Sequence, residues 1–178
     1  MCVILLTDLI YFRFVFCRGS YGEYKTCADK TTGKQCMTKV VAYSKDNHDA
    51  VCHEFEILRT LRQGNIIKVS DGFIHGEQLY VMCERLSSIN IVQFLCLQKT
   101  YREEVVAQMV RQVLDAIQYL QYYGIVHLNL QPSSIVMASR RRPFVKLRDF
   151  THARKMEDFT PLRVTAAGYP DFMGMNFY

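Results

Sequence analysis

The chain has 178 residues, 49% of them apolar and 22% charged, enough for one domain, or one and a fraction, with a buried core. Its 4 prolines and 9 glycines, with no long biased tract, exclude a collagen-like, linker-like or disordered chain. The formal charge of +5 comes with a single basic run, Arg140-Arg141-Arg142, too narrow a surface for nucleic acid.

Seven cysteines, Cys2, Cys17, Cys27, Cys36, Cys52, Cys83 and Cys96, form an odd set without a C-x-x-C pair. Neither a zinc knuckle nor a disulfide framework follows from that spacing, and the thiols read as reduced and cytoplasmic. The apolar start, Met1 to Phe16, has no basic leading region, is interrupted by Asp8 and Arg13, and is too short to cross a bilayer. A buried strand is expected there, because Leu9 to Phe16 is rich in aromatic and β-branched residues.

Along the chain, Ile10 to Phe16, Tyr21 to Asp29 and Lys34 to Ala42 are apolar or alternating runs that predict three strands of an antiparallel meander. They are separated by Gly-Ser-Tyr-Gly and by Lys30-Thr31-Thr32-Gly33, which has hairpin-turn chemistry. Val51, Phe55, Leu58 and Leu61 recur at helical steps after Asp46-Asn47-His48-Asp49, which offers an N-cap, and Gly64 closes the segment. Ile66 to Ser70 and Leu79 to Cys83 predict two more strands, joined by a polar turn from Ile74 to Gln78, for a sheet of about five strands. Beyond Glu84-Arg85-Leu86-Ser87-Ser88 the pattern turns helical, with a short helix over Ile91 to Leu97 and a long one over Arg102 to Tyr122. The longer one carries a wide apolar stripe of Val105, Val106, Met109, Val110, Val113, Leu114, Ile117 and Leu120. Ile125 to His127, Ile135 to Ala138 and Val145 to Leu147 are short apolar runs between polar turns.

Three places carry candidate chemistry. Cys17-Arg18-Gly19-Ser20-Tyr21-Gly22-Glu23-Tyr24 joins two predicted strands with glycines that let a backbone approach a phosphate, although an ordinary hairpin turn would serve as well. Lys39 sits in an apolar strand, where an ammonium needs a carboxylate or phosphate partner unless it lies on an exposed face. Glu54, beside Val51, Phe55 and Leu58, is placed to reach it, while Glu56 suits a solvated helix face. The third cluster runs from Val126-His127-Leu128-Asn129-Leu130-Gln131-Pro132-Ser133-Ser134 to Lys146-Leu147-Arg148-Asp149-Phe150-Thr151. The 20 positions between Asn129 and Asp149 suffice for two short strands that fold back and bring both turns to one edge.

In this order the pieces resemble a eukaryotic protein kinase domain, from about Ile10 to the last residues. His127-Leu128, where His-Arg is usual, and Gly168-Tyr169-Pro170-Asp171-Phe172 make the resemblance closest to the myosin-light-chain kinase, titin and obscurin branch. It implies an α+β, protein-kinase-like fold: a five-stranded antiparallel N-lobe with one helix, followed by an incomplete helical C-lobe. Residues 1–9 are then an N-terminal extension, 10–83 the N-lobe, 84–88 the hinge and 89–178 a partial C-lobe that ends with the activation segment. The resemblance makes Gly19 and Gly22 the second and third glycines of the nucleotide loop, with Cys17 in place of the first and Tyr24 in place of the valine that covers adenine. Lys39 would contact the α- and β-phosphates of ATP and pair with Glu54. Cys83 would be the gatekeeper before hinge residues Glu84, Arg85 and Leu86, whose backbone meets adenine. Asp149 matches the aspartate that holds Mg2+, with Thr151 in place of the glycine after Phe150 and expected to restrict the turn.

The departures fall on the chemistry. Asn129 stands where the family has its catalytic aspartate, and a carboxamide cannot accept the substrate hydroxyl's proton as a carboxylate can. Gln131 replaces the catalytic-loop lysine, and Ser134 replaces the asparagine that holds the second Mg2+. Gly174-Met175-Asn176 takes the place of Ala-Pro-Glu, and the large helices expected after it are absent, as in a fragment of a longer product. The expectation is therefore a pseudokinase, with residual ATP and Mg2+ binding, that engages protein partners in a cytoskeletal or sarcomeric setting and neither nucleic acid nor a membrane. The alternatives are an active Ser/Thr protein kinase and a ligand-free structural segment of a larger cytoskeletal protein.

Overall fold

A computed structural model describes residues 10–19, by their backbone alone, and residues 22–156. Residues 1–9, the loop tip Ser20-Tyr21, and the closing segment with Gly168-Tyr169-Pro170-Asp171-Phe172 and Gly174-Met175-Asn176 lie outside the described residues. The described chain divides into two units, one running to Leu61 and then Ile67–Ser88, the other made of Arg62–Ile66 and the chain from Ile89 on.

The first unit is a five-stranded antiparallel sheet: β1 (Ile10–Gly19), β2 (Gly22–Asp29), β3 (Gln35–Ala42), β4 (Val69–His75) and β5 (Gln78–Glu84), in the order β1-β2-β3-β5-β4. The turn between β2 and β3 is set by Asp29, whose Oδ1 accepts hydrogen bonds from the Thr31 N–H at 2.9 Å, the Thr32 N–H at 2.7 Å and the Thr32 hydroxyl at 3.0 Å. Those bonds, Thr32's first, hold the Asp29 carboxyl below its usual pKa and pin the hairpin register from its tip. Gly22 has φ +142°, and a Cβ there would stand 2.6 Å from the Val40 carbonyl oxygen. Gly22 is thus demanded by strand packing as well as by any ligand.

Helix α1 (His48–Leu58) lies over the sheet with Glu54, Ile57 and Leu58 buried. Gly72 of β4 lets it in: a Cβ at that position would be 3.0 Å from the Phe55 ring. The helix departs from expectation at both ends. Asn47 occupies the N-cap position without capping, because its Oδ1 accepts the Ser44 N–H at 2.7 Å instead. The helix also stops at Leu58, six residues before Gly64. There Thr60 N–H reaches the Ile57 carbonyl and Leu61 N–H the Leu58 carbonyl in tighter i, i+3 turns. Leu61 is buried by that turn rather than by helix periodicity. The strand expected over Ile66 to Ser70 is displaced to Val69–His75, because Ile66 pairs with Leu147 of the second unit.

The second unit contains α2 (Ile91–Cys96) and α3 (Glu103–Tyr122), then β6 (Ile125–Val126), β7 (Ile135–Met137), β8 (Val145–Leu147) and β9 (Arg154–Lys155). Asn90 and Gln93 form a capping box at the start of α2, each side chain accepting from the other's backbone N–H at 2.8 and 3.0 Å. The stripe on α3 is narrower than its sequence suggests. Met109, Val113, Ala116 and Leu120 are buried, whereas Val110 and Leu114 are 45% and 58% exposed. Hydrophobic residues at i, i+4, i+7 and i+11 make one seam, and the flanking valine and leucine fall outside it. Asn65 Nδ2 donates to the Val145 carbonyl at 2.8 Å and Gln112 Oε1 accepts the Val145 N–H at 3.0 Å, which fixes β8 against α3. Val136, Met137, Val145, Leu147, Phe150 and Ala153 are all fully buried around this point.

Candidate functional site

In the first unit, β3 and β5 run in a register that opposes Met37 to Cys83 and Lys39 to Val81, and β2 opposes Tyr24 to Lys39. Directly opposed residues share a sheet face, so Tyr24, Met37, Lys39, Val81 and Cys83 line one side. Lys39 Nζ meets Glu54 Oε2 at 2.5 Å, with the two residues 5% and 9% exposed. The pairing expected from an ammonium in an apolar strand is therefore made, and made nearly dry. Glu56 instead pairs with Arg59 on the exposed side of α1.

Cys83 is 3% exposed, and its thiol donates to the Met37 carbonyl at 3.4 Å. Burial first, then the charge of Glu84, pushes this thiol up to about 12. Glu84 Oε1 accepts the Lys68 N–H at 2.7 Å while its own N–H donates to the Lys68 carbonyl at 3.0 Å, so the start of the connector is tied to the residue preceding β4. Leu86 is buried and Arg85 is exposed. Gly19 and Gly22 oppose each other at the open end of β1 and β2, and Cys17 opposes Tyr24. The loop they enclose lies outside the described residues.

In the second unit β7 and β8 pair antiparallel, Ile135 against Leu147, and the Arg148 N–H donates to the Ser134 carbonyl at 2.9 Å. That hairpin brings the turn carrying Asn129 to Ser134 and the turn carrying Asp149 to one edge. His127 joins them. Its Nδ1 accepts the Asn129 N–H at 3.3 Å, which assigns the proton to Nε2, and Nε2 donates to the Arg148 carbonyl at 3.2 Å. Its ring also stands edge-on to Phe150, with centroids 4.6 Å apart. The sequence places His127 in a motif without stating this role, because Arg148 and Phe150 lie across the hairpin.

Two residues here hold positive φ without being glycine, Leu128 at 59° and Asp149 at 69°. Each costs roughly 1–2 kcal/mol against the ordinary backbone, and strain of this kind persists only where the surroundings impose it. The positive φ of the second turn thus falls on Asp149 and not on Thr151. The Thr151 hydroxyl instead donates to Asp149 Oδ1 at 3.2 Å.

Around Asn129 the side chains close on one another. Gln131 Nε2 donates to Asn129 Oδ1 at 3.2 Å, and Asn129 is 5% exposed. Ser134 is fully buried, and its hydroxyl donates to the Gln131 carbonyl at 2.8 Å while accepting the Gln131 N–H at 3.0 Å. For a cation this matters: the Ser134 hydroxyl, fully buried and engaged with the backbone of its own turn, has one lone pair left to offer, and Mg2+ prefers carboxylate and phosphate oxygens. The Asp149 carboxylate fits that preference. Lys39, a buried ammonium on the face shared with Tyr24 and Cys83, fits a phosphate as a point charge.

The described residues contain no helix long and apolar enough to cross a membrane. The chain is 29% identical over 145 residues to the striated muscle preferentially expressed protein kinase of Danio rerio, which covers 82% of this chain and 5% of that protein. It is 28% identical over 139 residues to serine/threonine-protein kinase RAD53 of Saccharomyces cerevisiae, covering 77% of this chain and 17% of the relative. The chain thus spans less than a fifth of either protein. Among solved structures, the autoinhibited serine kinase domain of the giant muscle protein titin superposes with a TM-score of 0.79 at 25% identity, over 85% of this chain and 48% of that one. The family model described as the protein kinase domain matches residues 15–176. Because that match takes in all but the two ends of the sequence, and the sheet, helix and paired turns have the family's order, the chain belongs to the protein kinase domain family.

Proposed function

We propose that this domain is a pseudokinase: a nucleotide-binding or scaffolding module for protein partners that has lost phosphoryl transfer. The observation that carries the reading is the hydrogen bond from Gln131 Nε2 to Asn129 Oδ1. At the position of the family's general base it puts a neutral amide oxygen, already engaged, and at the position of its cation a neutral amide. Neither takes up a proton from a hydroxyl at neutral pH, nor balances charge on a migrating phosphoryl. Ser134 adds a third loss, since its hydroxyl is engaged with Gln131. General acid–base catalysis and a lost electrostatic contact are each worth roughly 10²-fold or more in rate, so together they leave little transfer.

What supports residual ATP binding is the Lys39–Glu54 pair and the Asp149 carboxylate. Mg2+, where bound, would neutralise phosphate charge, and Asp149 is the residue to hold it. The intact pair also favours a second reading, an active Ser/Thr kinase, because phosphate anchoring by itself is compatible with catalysis. The similarity to a striated muscle kinase and to a second solved structure, titin kinase with its flanking domains, supports protein partners and a sarcomeric or cytoskeletal setting.

Transfer of radiolabelled phosphate from ATP to a basic peptide tests the reading. No transfer above background is expected, nor with Asn129→Asp alone, because charge stabilisation and metal geometry outweigh proton removal in a loose transition state. Magnesium-dependent phosphorylation by the unaltered protein, abolished by Lys39→Met, would promote the active-kinase reading. If millimolar ATP and ADP both leave the melting temperature unmoved, the linkage expected of a native-state ligand is missing and a ligand-free structural segment gains.

A further inference from the structure

On the sheet face opposite Lys39, the β2–β3 register sets Cys27 directly against Cys36. The Asp29 N–H bonds to the Lys34 carbonyl at the turn, and antiparallel pairs alternate between bonded and non-bonded types, so the Cys27–Cys36 pair is a hydrogen-bonded one with a Cα separation of about 5.5 Å. That lies inside the Cα window of roughly 4.4–6.8 Å found for disulfides, and closing the bond draws the two Cβ atoms in from the wider spacing of a bonded pair. Both are free thiols, and their sulfurs already approach to 2.9 Å. Cys27 is 2% exposed and packs with Met82, Phe73 and Tyr80. Cys36 is half-buried and lines a concavity of about 520 Å³ that opens between Lys34, Lys68 and Arg85.

We propose that Cys27 and Cys36 are a redox modification site, a cross-strand dithiol that a peroxide oxidises to a disulfide. The two sulfurs differ in role because they differ in access. Burial, and then the hydrogen bond that the Cys27 thiol donates to Cys36, pushes the Cys27 thiol far above the ordinary range, which leaves Cys36, on the open side, as the sulfur that meets the oxidant. The Cys36 thiol releases its proton and the thiolate attacks one peroxide oxygen, the O–O bond breaks, and the sulfur becomes a sulfenic acid as the other oxygen takes up that released proton and leaves as water. Cys27 then attacks that sulfur. The S–S bond forms, the sulfenic hydroxyl departs with the Cys27 proton as a second water, and the two sulfurs have together supplied the two electrons that reduce the peroxide. Sequence spacing hides this site, since the cysteines are nine positions apart and share no motif.

The chain itself provides the readout. Lys25, Lys30, Lys34 and Lys39 bracket the two cysteines, so trypsin releases Cys27 on Thr26–Lys30 and Cys36 on Gln35–Lys39. After treatment of the folded, reduced protein with hydrogen peroxide and blocking of remaining thiols, the two peptides are expected as one species that dithiothreitol separates. In Cys27→Ser a sulfenic acid at Cys36 is expected to persist and to be trapped by dimedone. Separate peptides from the peroxide-treated native protein, whether as free thiols or with Cys36 as sulfinic acid, overturn the proposal. So does a linked peptide that forms equally well in urea, where no strand register exists. Both outcomes are read on the unaltered chain and do not depend on any variant folding.

Discussion

The Lys39–Glu54 pair offers the sharpest energetic test, because it is an ion pair of 2.5 Å with both side chains nearly out of water. Lys39→Met removes the ammonium and leaves a carboxylate that is 9% exposed, while Glu54→Leu leaves an ammonium that is 5% exposed. Removing one partner of a buried ion pair costs about 3–5 kcal/mol, a large share of a domain's total stability of about 5–15 kcal/mol. Each single variant should therefore melt about 6–20 °C lower, at roughly 2–4 °C per kcal/mol for a chain of this size. The double variant replaces two charges by two apolar side chains of similar length and orphans neither, so its cost should be about 1 kcal/mol or less. Thermal and urea denaturation of the four proteins closes the cycle, with an expected non-additivity of more than about 2 kcal/mol. Single variants that each cost under about 1 kcal/mol and simply add would place the pair among solvent-screened surface bridges, and burial would not be what gives it strength.

His127→Phe keeps the ring against Phe150 but leaves the Arg148 carbonyl and the Asn129 N–H without their bonds, so chemical denaturation should show a loss of about 1–3 kcal/mol. Stability equal to that of the unaltered protein would mean that packing alone joins the two turns. Cys83 predicts a pH dependence. Its folded pKa is raised from 9.0 to about 12, mainly by burial, so its contribution is complete below the unfolded value and falls as pH rises from there through the folded one. A stability profile should lose about 1 kcal/mol per pH unit above pH 9 from this thiol, and Cys83→Ala should flatten that limb. An unchanged slope in the variant would assign the alkaline loss elsewhere.

Much of the architecture is legible in the sequence itself. The Lys30-Thr31-Thr32-Gly33 turn, the alternation of the first strands and the seam of α3 are local patterns, and local sterics suffice to realise them. Lys39 and Glu54 can be paired on paper because a buried ammonium needs an anion and one helix face supplies it. The degenerate residues Asn129, Gln131 and Ser134 are likewise plain from their order along the chain.

What the tertiary structure decided is which distant groups meet. The arrival of Ile66 at Leu147 removes it from the sheet and moves β4 toward His75, and early i, i+3 turns end α1 before its glycine. Positive φ falls on Leu128 and Asp149, neither of which is a glycine, because His127 and the β7–β8 hairpin hold the two turns together. Only strand register brings Cys27 onto Cys36, and a slip of one residue would send their side chains to opposite faces. Composition and periodicity act over a few residues, whereas register and packing are set by every contact at once. That is why seven scattered cysteines read as inert in the sequence while two of them stand sulfur to sulfur in the fold.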